Sequence, residues 1–447
     1  MKWVRSLASA LALLSLSAFA SSPNWPQFRG PDGAGLSDQT APTTWDLESG
    51  KNIRWQKPIP GLGHACPIIW QDRIYIATAV KPGGKSELKV GIYGDGASYQ
   101  EKEPHQWRWL CFDKRSGKLL WDRLGFEGVP RVERHTKASH CNSTPATDGK
   151  RIVAIFGSEG LFCFDMYGIL LWHRDLGKMD AGPYNDNTLQ WGFASSPVLY
   201  NDKVVVQCDV LSEKYLALFD AKNGSQLWRV ARKEAGGTWC TPAVAITDTG
   251  TQIVCNGWKD IGGYDFDRGR QLWHLEGGGD IPVPTPVVAH DLAFLTSAHG
   301  NYRPLRAVRL DSKGDITPPS VETPNKSVIW CLPRQGSYMQ TPLLFGSMLF
   351  SCDWYGVLNC VEAGSGQVYY SERLGPGGEA FTASPVAAGQ NLYFTSEPGN
   401  VYVVSANTRF TPLSTNSLGD ICLSTPAVSE GSLFFRTRDK LIAIGRK

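Results

Sequence analysis

A segment that repeats along a chain leaves few folds open, because each copy must bury against the next what it cannot bury alone. The clearest copy here spans residues 192–228, and a near-copy follows at once over residues 237–273. Each carries a Ser-Pro or Thr-Pro near its start, then two β-rich runs separated by a polar turn, then a glycine turn and a closing Trp. Counted by the opening proline, the unit occurs at Cys66-Pro67, Thr144-Pro145, Ser196-Pro197, Thr241-Pro242, Thr285-Pro286, Thr341-Pro342, Ser384-Pro385 and Thr425-Pro426. An outer run ending in an aromatic completes the better copies, at Trp121, Trp172, Trp228, Trp273, Trp330 and Tyr370.

Four short strands per unit, at a period of roughly forty residues, is the pattern of a β-propeller blade. The 47 Gly, 28 Pro and 11% aromatic residues suit many short strands joined by turns. The last copy has room for only three strands, the third at residues 441–444, while residues 50–55 resemble a missing outer strand. The expected fold is therefore all-β, an eight-bladed β-propeller closed by the N-terminal strand pairing in the last blade, which leaves no open edge. No stretch carries a useful 3.6-residue periodicity, so a helical solenoid is excluded.

Residues 1–20 read as a secretory signal peptide, with Lys2 and Arg5 before an apolar run and an Ala18-Phe19-Ala20 cleavage site. Residues 21–50 form a Pro/Gly-rich arm, expected to be extended and pinned to the outside, and residues 51–447 the propeller. No further stretch is long and apolar enough to span a bilayer as a helix. The formal charge is +3, or +1 without Lys2 and Arg5, and gives no reason to invoke nucleic acid or anionic membrane. The 11 Cys contain no C-x-x-C, which removes zinc ribbons and dithiol redox motifs. They read as small buried side chains, with Cys352 and Cys360 the one local pair to test for a disulfide.

The spacing Asp-x-x-x-Gly (Asp113/Gly117, Asp220/Gly224, Asp265/Gly269) suits a tight turn in which Asp accepts N–H groups and Gly takes a positive φ. The Trp of each outer strand is a plate able to cover the joint between blades, with its N–H seeking a backbone acceptor there.

This Trp-closed unit, with the arm WPQFRGP at residues 25–31 and the tail at residues 424–428 and 436–439, resembles the pyrroloquinoline-quinone-type (PQQ-like) repeat. That repeat is shared by quinoprotein dehydrogenases and BamB-like exported proteins, and the resemblance covers essentially the whole mature chain. It implies the eight-bladed propeller; an activity does not follow from a fold. Alcohol-oxidising members sandwich the quinone between a Trp and a disulfide of adjacent cysteines, beside a calcium ion. Adjacent cysteines are absent here, and insertions to build a lid are few. BamB-like members assist outer-membrane β-barrel assembly and are lipid-anchored, whereas no Cys follows the cleavage site here. The mature protein is thus expected in the periplasm or outside the cell.

Residues before each opening proline should ring the axis at one mouth, with the loops between second and third strands on the same side. This mouth is expected to gather His64, His140, Trp191, Asp209, Trp239, Tyr338 and Trp354 as ligand-binding candidates. Arg131, Arg134, His135, Lys259, His299 and Arg303 are expected around them. Such residues can hold a planar or anionic ligand or anchor a protein partner. Asp209 is the only acid nominated as a base, and no catalytic residue is assigned. His135 and His140, five apart in a loop, are not read as a metal pair, and no metal is expected. G-x-S-x-G, H-E-x-x-H and P-loop signatures are absent. The expected function is an exported, non-catalytic scaffold, with no cofactor, that binds an envelope protein or small ligand at its mouth. The alternative is a PQQ-dependent oxidoreductase, with calcium, built on an atypical site.

Overall fold

In the computed structural model, which describes residues 23–446 except 94, 234–235, 300–301 and 321–322, every repeat becomes an antiparallel sheet of four strands. The signal peptide read at residues 1–20 lies outside the described residues. Blade 1 comprises Ile68–Trp70, Arg73–Val80, His105–Asp113 and Leu119–Gly128, and blade 3 Val198–Tyr200, Lys203–Asp209, Lys214–Asp220 and Gln226–Ala231. The chain runs outward through each blade, so the middle strands are covered on both faces by neighbouring blades. Their near-continuous apolar runs follow from that burial, as in Val204, Val205 and Val206. The core is correspondingly a series of seams, such as Val153 and Cys163 of blade 2 against Val204, Val206 and Ala217 of blade 3.

Blade 8 holds Ala427–Ser429, Ser432–Arg436 and Lys440–Ile444, and its outer strand is Ile53–Pro58. Ile53 pairs with Ile444 and Trp55 with Ala443, antiparallel, so the head of the chain closes the ring. Two blades carry an added parallel strand: Leu36–Ser37 on the innermost strand of blade 7, and Gly314–Asp315 on the outer strand of blade 4.

At four seams the outer-strand Trp locks onto the glycine turn of the next blade. Trp172 Nε1 donates to Ala221 O (3.0 Å), Trp228 Nε1 to Phe266 O (3.1 Å), Trp330 Nε1 to Ala363 O (2.8 Å) and Trp55 Nε1 to Lys114 O (3.2 Å). Each indole lies on the face of a turn glycine, and Gly117, Gly224 and Gly269 have φ of +67°, +69° and +69°. A Cβ on any of them would enter the ring, so these positions need glycine for both backbone and space.

The arm differs from expectation. It runs across the hub on the face opposite the mouth and is buried there, not pinned to the outside. Trp25 N–H donates to Ile69 O of blade 1 (2.8 Å), and Pro26 O accepts from Thr147 N of blade 2 (2.8 Å). Arg29 then donates to Thr341 O and Pro342 O of blade 6, 2.9 Å each, and is 1% exposed. Four backbone carbonyls hold this guanidinium, the other two being Gly33 O and Ala34 O. The proposed disulfide is also corrected. Cys360 lies opposite Phe350 and Cys352 opposite Leu358, and no disulfide joins the described cysteines. Burial pushes Cys360, like Cys111 and Cys163, up to about 12.

Candidate functional site

The residues before the opening prolines form a ring around the axis, stitched by hydrogen bonds from one blade to the next. Cys66 N–H donates to Thr144 Oγ1 (3.0 Å), Thr144 N–H to Ser196 Oγ (2.9 Å) and Ser196 N–H to Thr241 Oγ1 (3.0 Å). Across the hub Thr285 donates to Thr341 (3.0 Å), Thr341 to Ser384 (3.0 Å) and Ser384 to Thr425 (2.9 Å). The hydroxyl is therefore selected because proline fixes the strand start and the residue before it must bond sideways. This ring lines an axial cavity of about 510 Å³, with Phe28 of the arm also in its lining.

A loop at residues 81–93 and 95–104 lies over the mouth and forms a lid, although insertions to build one are few. Its Gly91 N–H and the Lys137 ammonium converge on Glu397 of blade 7, at 2.7 and 2.5 Å. Ser98 exchanges bonds with the backbone of Gln190 (2.9 and 2.8 Å), and Gly96 O accepts from Trp191 Nε1 (3.1 Å). Tyr93 reaches across to Tyr338 and Trp354, ring centroids 6.2 and 6.4 Å away.

Of the residues expected at the mouth, His64, Trp191, Trp239 and Tyr338 line the cavity together. Trp191 and Trp239 lie 5.8 Å apart, and Trp239 Nε1 is fixed by Gly192 O (2.8 Å). His64 Nε2 donates to Lys137 O (2.9 Å), and burial, with Arg436 nearby, pushes its imidazole down to about 3. His135, also in the lining, is pushed down to about 4, again mainly by burial. Burial raises the Tyr338 phenol above its ordinary range.

Asp209, His140 and Trp354 are not in that lining. Asp209 is sealed between blades, 0% exposed, with Arg232 Nε at 2.9 and 3.1 Å and Gln207 and Thr238 as further donors. It is an ion-pair carboxylate with no route to a substrate. His140 is turned away from the axis: its carbonyl takes Trp107 Nε1 (2.8 Å), and its ring packs on His105 at 5.2 Å. Trp354 stands behind Tyr338, 5.1 Å from it and 4% exposed. Arg131 pairs with Asp175, Arg134 with Glu101 and Arg303 with Asp353, while Lys259 sits over the Trp258 ring.

Two features of the site escaped the sequence reading. The lining contains an acid–imidazole pair, Asp280 Oδ1 to His299 Nδ1 at 2.7 Å, in which the imidazole holds the carboxyl below its ordinary range. The ring around the axis is legible as Ser or Thr before seven of the eight opening prolines, but the blade-to-blade hydrogen bonds its hydroxyls accept are not.

Fold and site together define a closed repeat propeller with a blind, aromatic-walled cavity on its axis. Within that class the chain belongs to the family described as outer membrane protein assembly factor BamB, whose profile matches residues 108–369. It is 24% identical over 206 residues to outer membrane protein assembly factor BamB of Shewanella oneidensis, covering 42% of this chain and 49% of the relative. The chain thus spans about half the length of that curated relative. Among solved structures it is similar to BamB from Moraxella catarrhalis (TM-score 0.54, 12% identity, 82% of this chain and 99% of that one). It is also similar to quinohemoprotein alcohol dehydrogenase from Comamonas testosteroni (TM-score 0.61, 12% identity, 96% and 82%). A europium-containing methanol dehydrogenase is alike too (TM-score 0.61, 12% identity, 93% and 89%). At this identity the structural likeness concerns the fold alone. No helix of the described residues is long and apolar enough to cross a membrane.

Proposed function

We propose that this chain is an exported, non-catalytic scaffold that seats an aromatic or apolar group of an envelope protein in its axial cavity. The observation that carries this reading is the wall of Trp191, Trp239, Tyr338, Ile281 and Met339 above the hydroxyl ring. Rigid aromatic surfaces in a concave site are where binding energy concentrates. The Lys137 charge in the lining is already met by Glu397, and Asp280 is hydrogen-bonded to His299, so neither is a free partner for an ionic ligand. Membership of a family described by outer-membrane protein assembly supports a protein partner.

The Asp280–His299 pair favours a second reading, because a carboxylate-oriented imidazole is a common proton acceptor. The quinone of the dehydrogenases does not suit this lining, however. An anionic planar quinone would meet the already paired Lys137 alongside Asp186 and Asp280, and no disulfide joins the described cysteines. The wall indoles Trp191 and Trp239 already lean on one another, tilted by 34°, and do not frame a slot for a flat ring.

The test uses the mature chain and fluorescein-labelled peptides copied from outer-membrane barrel strands ending in an aromatic residue, read by anisotropy. Trp191→Ala and Trp239→Ala should each weaken binding by about thirty-fold, the effect of losing an anchor worth ~2 kcal/mol, read below the melting temperature of each variant. Equal binding by all three proteins removes the cavity as the seat. Added pyrroloquinoline quinone and Ca²⁺ should give neither dye reduction nor a thermal shift, and either response would establish the second reading.

A further inference from the structure

Outside the cavity, three side chains from separate segments meet beneath the lid. Glu101 ends the lid loop, His105 starts the third strand of blade 1, and His140 lies in the connection to blade 2. Glu101 Oε2 is 3.1 Å from His140 Nε2 and 3.7 Å from His105 Nε2, and the three donor atoms all lie within 4.8 Å of one another. The side chains are 6, 1 and 7% exposed for Glu101, His105 and His140.

The protonation of His105 is dictated by its other nitrogen. Nδ1 lies 2.9 Å from Glu103 O, and a carbonyl can only accept, so Nδ1 carries the proton. In the neutral ring Nε2 is then a bare lone pair pointing at a carboxylate oxygen in a buried space. Neither His105 Nε2 nor His140 Nε2 makes a hydrogen bond of good geometry among the described residues, although both lie against Glu101 Oε2. A neutral His105 ring thus sets two acceptors face to face without solvent, which repel, and an unpaired buried polar atom costs stability. A cation between them turns the same arrangement into an attraction.

We propose that Glu101, His105 and His140 form a Zn²⁺-type divalent-metal site that fastens the lid to blade 1. Zinc bonds of about 2.0–2.2 Å in a tetrahedron set neighbouring ligand atoms roughly 3.3–3.5 Å apart, and the separations of 3.1 and 3.7 Å from Glu101 bracket that edge. Two imidazoles and one carboxylate form a donor set of the zinc kind, with a fourth position left for water. The outer contacts are those that hold metal ligands in place. Glu103 O fixes the His105 tautomer, and Arg134 Nε bonds Glu101 Oε2 at 2.8 Å. Arg134 is itself anchored on Ala138 O and Glu87 O, so the carboxylate is oriented from both sides of the lid. The site serves the lid whether the cavity takes a protein group or another ligand.

The test strips the mature chain with a chelator, adds one equivalent of Zn²⁺, desalts it and measures bound metal by mass spectrometry. Wild type should keep one zinc per chain, and competition with a chromophoric chelator should show His105→Gln and His140→Gln each binding at least 100-fold more weakly. His299→Gln, at a separate imidazole–carboxylate contact, should behave as wild type. Zn²⁺ should raise the melting temperature of wild type and slow proteolysis within residues 81–104, and do neither for His105→Gln. The assignment is overturned if wild type retains no zinc, or if His140→Gln or a folded His105→Gln retains it at wild-type affinity. Should His105→Gln fail to fold, wild type and His140→Gln still decide.

Discussion

The seams between blades make a quantitative test. At Gly224 the backbone sits at φ +69°, and a Cβ would lie 2.6 Å from Trp172 Cε3 and 2.8 Å from Cδ2. At Gly346 φ is +60° and nothing lies within 4 Å of the same atom. Replacing either by Ala forces an L-residue into the left-handed region, at about 1–2 kcal/mol. Only Gly224→Ala must also push the indole off its seat, breaking Trp172 Nε1 to Ala221 O (3.0 Å) in a seam where Trp172 is 8% exposed. Leaving that buried pair unmade adds about 1–3 kcal/mol. Urea unfolding of residues 21–447 should therefore show Gly346→Ala losing ~1 kcal/mol and Gly224→Ala ~3 kcal/mol. With Trp172 already changed to Leu, the cost of Gly224→Ala should fall to that of Gly346→Ala, as expected for side chains that couple through contact. Equal losses at the two glycines, or no relief from Trp172→Leu, would refute the collision as the reason for glycine.

Arg232→Met should destabilise by about 3–5 kcal/mol, because it leaves a buried carboxylate uncompensated, while Asp209→Asn combined with Arg232→Met should recover more than half of that loss in the same urea assay. A pH series follows from His64 and His135, whose folded values of about 3 and about 4 lie below the ordinary 6.5. The unfolded chain binds these protons first, so their contribution is whole above pH 6.5 and is lost as pH falls towards 4 and 3. The slope is about 1.4 kcal/mol per pH unit for each imidazole. Unfolding midpoints from pH 7.5 to 5 should fall accordingly and fall less for His64→Gln; a flat profile over that range would contradict the burial of both rings as neutral bases.

The wheel was legible in the sequence because its signals are local and repeated. The opening prolines, the Asp-to-Gly turns and the closing Trp each settle a strand or a turn without reference to the rest of the chain, and eight copies leave little choice of architecture. The closing strand was legible for the same reason, since residues 50–55 match the outer run the last copy lacks. Side-chain direction was not. Asp209 ends its strand beside the mouth, yet its partner Arg232, 23 residues on, draws it into the seam. His140 is placed by a bond to its carbonyl from Trp107, which leaves its ring to face Glu101. Glu101 itself comes from a loop without periodicity, so nothing in the spacing foretold that it would meet two imidazoles. The arm was misplaced because its burial depends on carbonyls of blade 6 that no nearby residue announces.

That arm has a consequence for how the molecule comes into being. Arg29 is bonded to a carbonyl 312 residues further along, and Pro26 to a strand on the far side of the wheel from it. The segment translated early must therefore wait, unseated, until the sixth sector exists to receive it. The vessel gains its bottom only when its walls are nearly complete, and from then on whatever is taken in must leave by the way it came.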